Sequence, residues 1–298
     1  MTRIVSLVPA ATEIVAALGA SNLLVGISHE CDYPPSVQHL PRLTSSSIDP
    51  HADSKAIDTA VRGLRDAGRP VITIDGAMIS KLAADLIITQ DLCEVCAVSD
   101  GQVHRLSKTM HESAQVLSLT GRDLRGIWTD IRNVARALGL EDRAEELLSG
   151  LEARLNNIRN APPATQPRVL CLEWVDPPYL AGHWVPDLIA AAGGQDVGAR
   201  SGSHSITRSW AQLTTSRADC LLVMLCGFGI DRARQELESL DLPDALELFR
   251  RVPTWILDGN SYTSRPGPRV VDGAEQIWSV FTGNPIPGAE RWEPAAVC

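Results

Sequence analysis

Cysteine offers the widest range of chemistry in this sequence, and four of its seven cysteines follow predicted strands. Cys31 comes after the second predicted strand, and Cys93 and Cys96 form a C-x-x-C directly after the D-L-I-I-T segment. Cys226 follows the apolar run L-L-V-M-L. Thiolates bind zinc and iron–sulfur clusters, so these four residues are candidate metal ligands. A lone C-x-x-C is a weak signal, and an incidental pair is an equally good interpretation.

Polar residues after other predicted strands are candidates for ligand contacts. His29, two residues before Cys31, could serve as a ligand or a proton carrier because imidazole titrates near neutral pH. A hydrogen-bonded loop histidine is an equally good interpretation. Gln90 and Arg265 also follow predicted strands and offer polar contacts. The sequence has no H-E-x-x-H, no G-x-S-x-G, no glycine-rich phosphate loop and no readable catalytic triad, so binding is expected more readily than catalysis.

Tryptophan is unusually frequent among the aromatic residues, with seven Trp against three Phe and three Tyr. Trp184 and Trp210 stand at predicted turns, away from the helical stripes that usually mark core positions. Large flat side chains at a binding site suit a bulky planar ligand. Core packing is the alternative interpretation for about half of the tryptophans.

Short apolar runs alternate with helical periods over most of the chain, which predicts parallel β-sheets with helices on their faces. Strands are predicted at 3–7, 24–28, 70–74, 85–89, 168–173, 220–225 and 255–257. Helices are predicted at 12–18, 55–67, 79–84, 186–192, 232–240 and 271–281. Cys171 and Cys220 fall inside strands, where a free cysteine is usually a small core residue. Ligands of open α/β sheets bind at the carboxyl ends of strands, so the candidate residues should converge on one crevice.

A helical pattern without proline at 123–161 interrupts this alternation. It predicts one long helix, or two near-collinear helices with a break at Gly139. We therefore predict the α/β class, with two lobes of mostly parallel sheet joined by a long rigid helix. The N-terminal lobe would cover 1–122, the connecting helix 123–161 and the C-terminal lobe 162–298. The last stretch, 284–298, contains three prolines and is expected to be an irregular, mobile tail.

Charge and cysteine content restrict the partners and the compartment. The 298 residues include 27 Lys+Arg against 36 Asp+Glu, a net charge of −9, which argues against nucleic acid as a partner. No apolar run reaches about 18 residues, so no membrane span is predicted. An odd number of cysteines that includes a C-x-x-C favours a cytoplasmic location. The first twenty residues imitate a secretion signal, although Glu13 interrupts the apolar run, and a periplasmic location is the alternative.

Several segments together resemble one protein family. They are R-I-V-S-L-V-P-A-A-T-E-I-V-A-A-L-G at 3–19, C-D-Y-P-P at 31–35, A-G-H-W-V-P-D-L-I-A-A-A-G-G at 181–194, S-W-A-Q-L at 209–213 and R-P-G-P-R-V-V-D-G at 265–273. Over nearly its whole length the chain resembles the vitamin B12-binding proteins of ABC importers, and among them a cytoplasmic branch. The resemblance implies a fold like that of the class III periplasmic binding proteins, with a corrinoid held between two lobes.

The resemblance also implies a function and a set of ligand contacts. The aromatic positions that it places against a ligand are Tyr33, Trp184, Trp210, Phe228 and Tyr262. Adding polar contacts from His29, Gln90 and Arg265, we expect cobalamin or a related corrinoid to bind without catalysis in the cleft between the lobes. The protein would carry, store or hand over this ligand, with an ABC importer or a corrinoid-using enzyme as partner. The alternative is a metal or iron–sulfur protein built on the four cysteines, and a thiolate or His29 bound to cobalt would combine the two.

Overall fold

The structure, a computed structural model, describes residues 2–92 and 114–294. The chain divides into two compact units. Unit 1 contains the described residues of 1–52, 59–121 and 125–149, and unit 2 contains those of 53–58, 122–124 and 150–298.

Unit 1 is built on a parallel sheet. The strands of the first half of the chain are β1 (Ile4–Ser6), β2 (Leu24–Ile27), β3 (Thr44–Ser46), β4 (Ile72–Ile74), β5 (Leu86–Gln90) and β6 (Gln115–Leu119). Four of them pair in parallel in the order β2-β1-β5-β6, while β3 and β4 form a separate antiparallel pair. The two central strands are apolar and buried along nearly their whole length, as expected inside a parallel sheet.

Helices follow these strands. They are α1 (Pro9–Ala17), α2 (Ser54–Asp66), α3 (Gly76–Lys81), α4 (Leu124–Leu138) and α5 (Glu141–Arg159). A proline opens α1, at a position where the helix needs no backbone N–H. Asp75 caps α3, since its carboxylate accepts the N–H of Met78 at 2.9 Å. The first turn of α2 and the second half of α5 belong to unit 2.

Unit 2 is built on one mixed sheet. Its strands are β7 (Arg168–Val175), β8 (Pro178–Leu180), β9 (Gln195–Asp196), β10 (Ile206–Thr207), β11 (Cys220–Val223), β12 (Thr254–Leu257) and β13 (Ala289–Trp292). The order is β10-β8-β7-β11-β12-β13, with β9 also paired to β7. The central strands β7, β11 and β12 are parallel, and they bury Cys171 and Cys220 as predicted. In contrast, β8, β10 and β13 pair antiparallel.

The helices of unit 2 complete its core. They are α6 (Val185–Ala191), α7 (Trp210–Thr214), α8 (Ile230–Glu238), α9 (Pro243–Arg251) and α10 (Val270–Phe281). One buried apolar cluster contains side chains of β7 and β11, such as Leu172 and Leu221, and side chains of the helices, such as Leu237 and Leu248. Among the described residues, no helix is long and apolar enough to cross a bilayer.

The predicted α/β class with mostly parallel sheets is confirmed. Every strand and helix predicted from apolar periodicity is present, with ends shifted by a few residues. Over 123–161 the structure has the two-helix alternative, because Gly139, with φ +67°, leaves the helical region between α4 and α5. The lobe boundaries set around this segment stay a prediction.

The expectation of an irregular tail at 284–298 is wrong for its middle part. Ala289–Trp292 form β13, which pairs antiparallel with β12. Trp292 is buried, and its ring lies edge-on to Phe249 with 5.2 Å between the ring centroids. Burial of this indole and the strand pairing order a segment whose prolines predict irregular chain. Cys298 lies outside the described residues.

Candidate functional site

The segment after β2 holds His29 by two bonds to one buried hydroxyl. The backbone N–H of His29 donates to Thr44 Oγ1 at 3.0 Å, and Nδ1 of its ring lies 2.7 Å from the same oxygen. Thr44 Oγ1 donates in turn to Ser28 Oγ at 3.1 Å. A hydroxyl has one proton, so Nδ1 of His29 must be the donor in its bond to Thr44. The other ring nitrogen, Nε2, then carries a lone pair and makes no hydrogen bond to any described residue.

The surroundings of His29 disfavour protonation of its ring. Burial, and to a smaller extent the positive charge of Arg42, lower the pKa of His29. A neutral imidazole whose Nδ1–H is held by an oxygen is the form in which histidine binds a metal centre through Nε2. His29 therefore has the local geometry of a ligand, and its role as one stays a prediction.

Arg42 and Cys31 fix the same loop. Arg42 donates from Nη1 to the carbonyl oxygens of Ser28, at 3.0 Å, and of Cys31. Cys31 is buried, and its Sγ lies 3.1 Å from Thr12 Oγ1. The thiol of Cys31 therefore packs inside unit 1, and its role as a metal ligand stays a prediction.

Two further predicted contacts of unit 1 are less buried. Tyr33 is 44% exposed, and Gln90, the last residue of β5, is half-buried. Strands β2 and β5 both run parallel to β1, so the segments after them leave the same edge of the sheet. His29 and Gln90 consequently belong to one edge of unit 1.

In unit 2, the turn after β12 is fitted closely to the main chain beside it. Gly259–Thr263 form one turn of π-helix, and Asp258 caps it by accepting the N–H of Ser261 at 2.8 Å. A side chain at Gly259 would overlap the carbonyl oxygen of Leu225, so only glycine fits. This contact ties the segment after β12 to the segment after β11.

Arg265 and Tyr262 extend from that turn. Arg265 is buried and donates from Nη2 to Asn260 Oδ1 at 2.8 Å, and the N–H of Asn260 donates to the carbonyl oxygen of Phe228 at 3.1 Å. The guanidinium of Arg269 lies over the Tyr262 ring, 4.7 Å from its centroid. One face of Tyr262 is therefore occupied by a cation, and a ligand would have to use the other face or the edge.

Trp184 and Trp210, both predicted ligand contacts, are core residues of unit 2. Each is less than a tenth exposed. Trp184 donates from Nε1 to the carbonyl oxygen of Thr263 at 2.9 Å. Trp210 donates from Nε1 to the carbonyl oxygen of Val175 at 3.1 Å. Buried rings with satisfied N–H groups offer little surface to a ligand, so the structure favours core packing for both. Their contact with a ligand stays a prediction.

Phe228 is another predicted ligand contact that is buried in unit 2. It is buried, its ring centroid lies 5.3 Å from that of Trp174, and the guanidinium of Arg232 lies over it at 5.0 Å. Its ring is therefore in contact with two side chains of unit 2, and its role against a ligand stays a prediction.

The structure describes two of the four candidate metal ligands, Cys31 and Cys226. Within 2–92 and 114–294, no three His, Cys, Asp or Glu side chains form a group suited to a metal ion. Cys93 and Cys96 lie outside the described residues. Cys31 is buried in unit 1, and Cys226 is half-buried in unit 2. The metal or iron–sulfur alternative therefore gains no support.

Some residues of the candidate site were missed by the sequence analysis. Thr44 and Asn260 are small polar residues whose importance shows only in their bonds to His29 and Arg265. The polar T-S-S-S run at 44–47, directly after an apolar residue, was a signal that could have indicated Thr44.

Each unit combines parallel strands with polar residues after their carboxyl ends, the arrangement of ligand-binding α/β proteins. The family profile described as periplasmic binding protein matches residues 79–255, more than half of the chain. The chain therefore belongs to the periplasmic binding protein family. No curated protein sequence matches it significantly.

Solved structures with this fold cover nearly the whole chain. A periplasmic heme binding protein from Pseudomonas aeruginosa has a TM-score of 0.70 at 17% identity, covering 100% of this chain and 99% of its own. The periplasmic vitamin B12 binding protein BtuF of Vibrio cholerae has a TM-score of 0.66 at 20% identity, with coverage of 95% and 97%. The periplasmic heme-binding protein RhuT from Roseiflexus sp. RS-1 has a TM-score of 0.66 at 22% identity, with coverage of 95% and 98%.

These similarities confirm the predicted fold and the resemblance at the level of the family. At such identities they show the fold and not the ligand. The family is described as periplasmic, so the cytoplasmic location predicted from the cysteines gains no support from it.

Proposed function

We propose that this protein binds a metal-centred tetrapyrrole without transforming it. Cobalamin is the first candidate, because the sequence resembles vitamin B12-binding proteins. Heme is the second, since proteins described as heme-binding share the fold. In both ligands a tetrapyrrole-derived ring surrounds a metal that can accept a nitrogen ligand from the protein.

The geometry of His29 carries this proposal. Its Nδ1–H is held by Thr44, its pKa is lowered by burial, and its Nε2 has no partner among the described residues. A histidine held in this way is oriented to give Nε2 to a cobalt or iron centre. Tyr33, exposed and four residues further along, would supply a ring face beside the macrocycle.

Unit 2 would contribute polar contacts. Arg265 is buried with its guanidinium fixed by Asn260, and Tyr262 keeps one face covered by Arg269. Such held side chains lose little conformational freedom when a ligand binds. The protein would then hand the ligand to an ABC importer, as the family suggests, or to an enzyme that uses it.

Spectroscopic titration tests the proposal. Purified protein is titrated with hydroxocobalamin, with hemin and with metal-free protoporphyrin, and the absorption bands of each ring are recorded. We expect one metal-containing ring to bind more tightly than about 100 μM, which is roughly −5.5 kcal/mol, with a band shift that reports nitrogen coordination. Failure of both metal-containing rings to bind at that level would overturn the proposal.

Variants of His29 test whether this residue coordinates the metal of the bound ring. His29→Ala should weaken binding at least about tenfold and abolish the coordination shift, because the metal loses a protein ligand. His39→Ala is the matched control, since His39 is an exposed histidine of the same region. If His29→Ala and His39→Ala bind the ring equally well and with the same spectrum, His29 is not the ligand.

The compartment is tested separately. We retain the cytoplasmic location as a proposal that rests on the cysteine content alone. Fractionation of the cells that make the protein checks it, and recovery with the periplasmic contents would exclude it and favour delivery to an importer.

A further inference from the structure

Three nitrogen-bearing side chains meet in unit 2, outside the contacts described so far. The rings of His183 and His204 lie edge to face with 5.5 Å between their centroids. Arg122 donates from Nη1 to His204 Nε2 at 3.3 Å. The three side chains come from separate segments, and they form one cluster that we name the Arg–His cluster.

His183 is held in an unusual backbone conformation. Its φ is +53°, in the left-handed region that residues other than glycine seldom adopt. Its N–H donates to the carbonyl oxygen of Ser203 at 2.7 Å, and its own carbonyl oxygen accepts the N–H of Gly202 at 2.9 Å. These two bonds hold the backbone of His183 against the segment just before His204. Backbone strain held in this way is a feature of functional sites.

Among the described residues, His183 Nε2 has no hydrogen-bond partner and Arg122 has no carboxylate partner. His183 Nε2 is buried and has no hydrogen-bond partner in the described part of the chain. Arg122 is exposed in an acidic protein, yet it forms no ion pair with any described carboxylate and contacts the His204 imidazole instead. An arginine can only donate, so His204 must present the lone pair of Nε2 to it.

The charges around the cluster match this arrangement. Burial, followed by the charges of His204 and Arg122, lowers the pKa of His183. The nearby carboxylates are Asp187, which accepts the N–H of Leu124 at 2.9 Å, and Asp123, next to Arg122 in sequence. The cluster thus combines the permanent positive charge of Arg122 with the buried imidazole of His183, whose protonation its neighbours disfavour.

We propose that the Arg–His cluster is a binding site for an oxyanion, a carboxylate or a phosphate. The anion would replace the Arg122–His204 contact and accept N–H bonds from Arg122, His204 and His183. Its negative charge would favour protonation of the histidines, so binding would take up a proton from solution. A metal cation does not fit here, because the guanidinium of Arg122 would repel it.

Sulfate is the probe, since its charge stays constant over the range of about pH 5.5 to 8.5 in which histidine titrates. Calorimetric titration at constant ionic strength, with chloride as the balancing anion, measures the affinity. We expect sulfate to bind at least about fivefold more tightly at about pH 6 than at about pH 8, and paired buffers of different ionisation enthalpy should reveal proton uptake. The imidazole NMR signals of His183 and His204 should shift on titration.

Three variants test the assignment. Arg122→Gln should weaken sulfate binding about tenfold or more, since it removes a charge-assisted donor. Arg125→Gln is the matched control, because it makes the same charge change at an exposed arginine three residues away. His183→Asn keeps a residue that tolerates the left-handed backbone and should reduce the pH dependence, since only one of the two histidines remains. Equal effects of Arg122→Gln and Arg125→Gln, pH-independent binding, or no sulfate binding would each overturn the site.

The outcome does not depend on the proposed tetrapyrrole function. Sulfate that competes with hydroxocobalamin or hemin supports the site and identifies an anionic group of the bound ring as its occupant. Sulfate that binds without competing supports the site with a free oxyanion as occupant. Tetrapyrrole binding without any sulfate binding overturns this inference alone, and sulfate binding without tetrapyrrole binding overturns the proposed function alone.

Discussion

Replacing Thr44 by valine would remove one hydroxyl and keep the shape of the side chain. That hydroxyl is buried, accepts from the backbone N–H and from Nδ1 of His29, and donates to Ser28. A buried N–H that loses its acceptor costs about 1–3 kcal/mol, whereas the half-buried ring can regain a water. We therefore expect Thr44→Val to lower the free energy of unfolding by about 2–3 kcal/mol.

The same substitution should weaken the binding of a metal-centred ring. Without Thr44 the Nδ1–H of His29 is no longer held, so the ring loses both its tautomer preference and its orientation. Loss of such a supporting bond reduces metal affinity about 10- to 100-fold, which corresponds to about 1.4–2.7 kcal/mol.

Urea unfolding, followed by circular dichroism and tryptophan fluorescence, measures the first effect, and absorption titration measures the second. Thr73→Val is the matched control, because Thr73 is exposed and its Oγ1 shares a hydrogen bond with Ser45 Oγ at 2.9 Å. It should change the free energy of unfolding by less than about 0.5 kcal/mol. Equal midpoints for Thr44→Val and Thr73→Val would refute the reasoning about stability. Unchanged ring affinity in a destabilised Thr44→Val protein would refute the role of His29 Nε2.

Three further predictions concern stability and reactivity. Gly259→Ala should cost about 3 kcal/mol in urea unfolding because its Cβ would overlap main chain, while Gly229→Ala, with open space, should cost less than about 1 kcal/mol; similar costs would contradict the packing argument. Burial raises the pKa of Asp130 to about 6 although two backbone N–H groups oppose this, so the native state binds the extra proton. The stability that this proton contributes, up to roughly 3 kcal/mol, should be fully present below about pH 4 and lost as the pH rises through about 6. Asp130→Asn should therefore flatten the dependence of the unfolding free energy on pH over this range. Burial raises the pKa of the Cys220 thiol to about 12, so iodoacetamide at about pH 8 should spare it and modify half-buried Cys226 first; peptide mapping that finds the reverse order would refute this.

The central elements of both sheets could be predicted because their apolar runs are continuous. Strands β1, β5 and β11 are buried on both faces, and such strands leave a strong signal in sequence. The short strands β8 and β10 were missed, since segments of three and two residues are too short to show a period. Their pairing is decided by the neighbouring strand.

Two helices were missed although their capping signals were present. Ser209 and Gln212 form a capping box at the start of α7, and Pro243 stands at the first turn of α9. Reading those signals would have made Trp210 the first residue of a helix, and its burial easier to foresee. The aromatic contacts are thus the least predictable part of the site, because burial of a ring depends on tertiary packing that no local pattern records.

The position of β13 has a consequence for how the chain is made. It covers the outer edge of β12, whose backbone N–H and C=O groups would otherwise stand open to pairing with another chain. Because α10 lies between the two strands in sequence, that edge stays uncovered on the ribosome until the helix and the exposed turn after it have been synthesised. A slow stretch of translation there, or loss of β13 by cleavage in the exposed turn, would leave an unpaired edge on a nearly finished domain. Association of incomplete chains through β12 is therefore an expected misfolding route of unit 2.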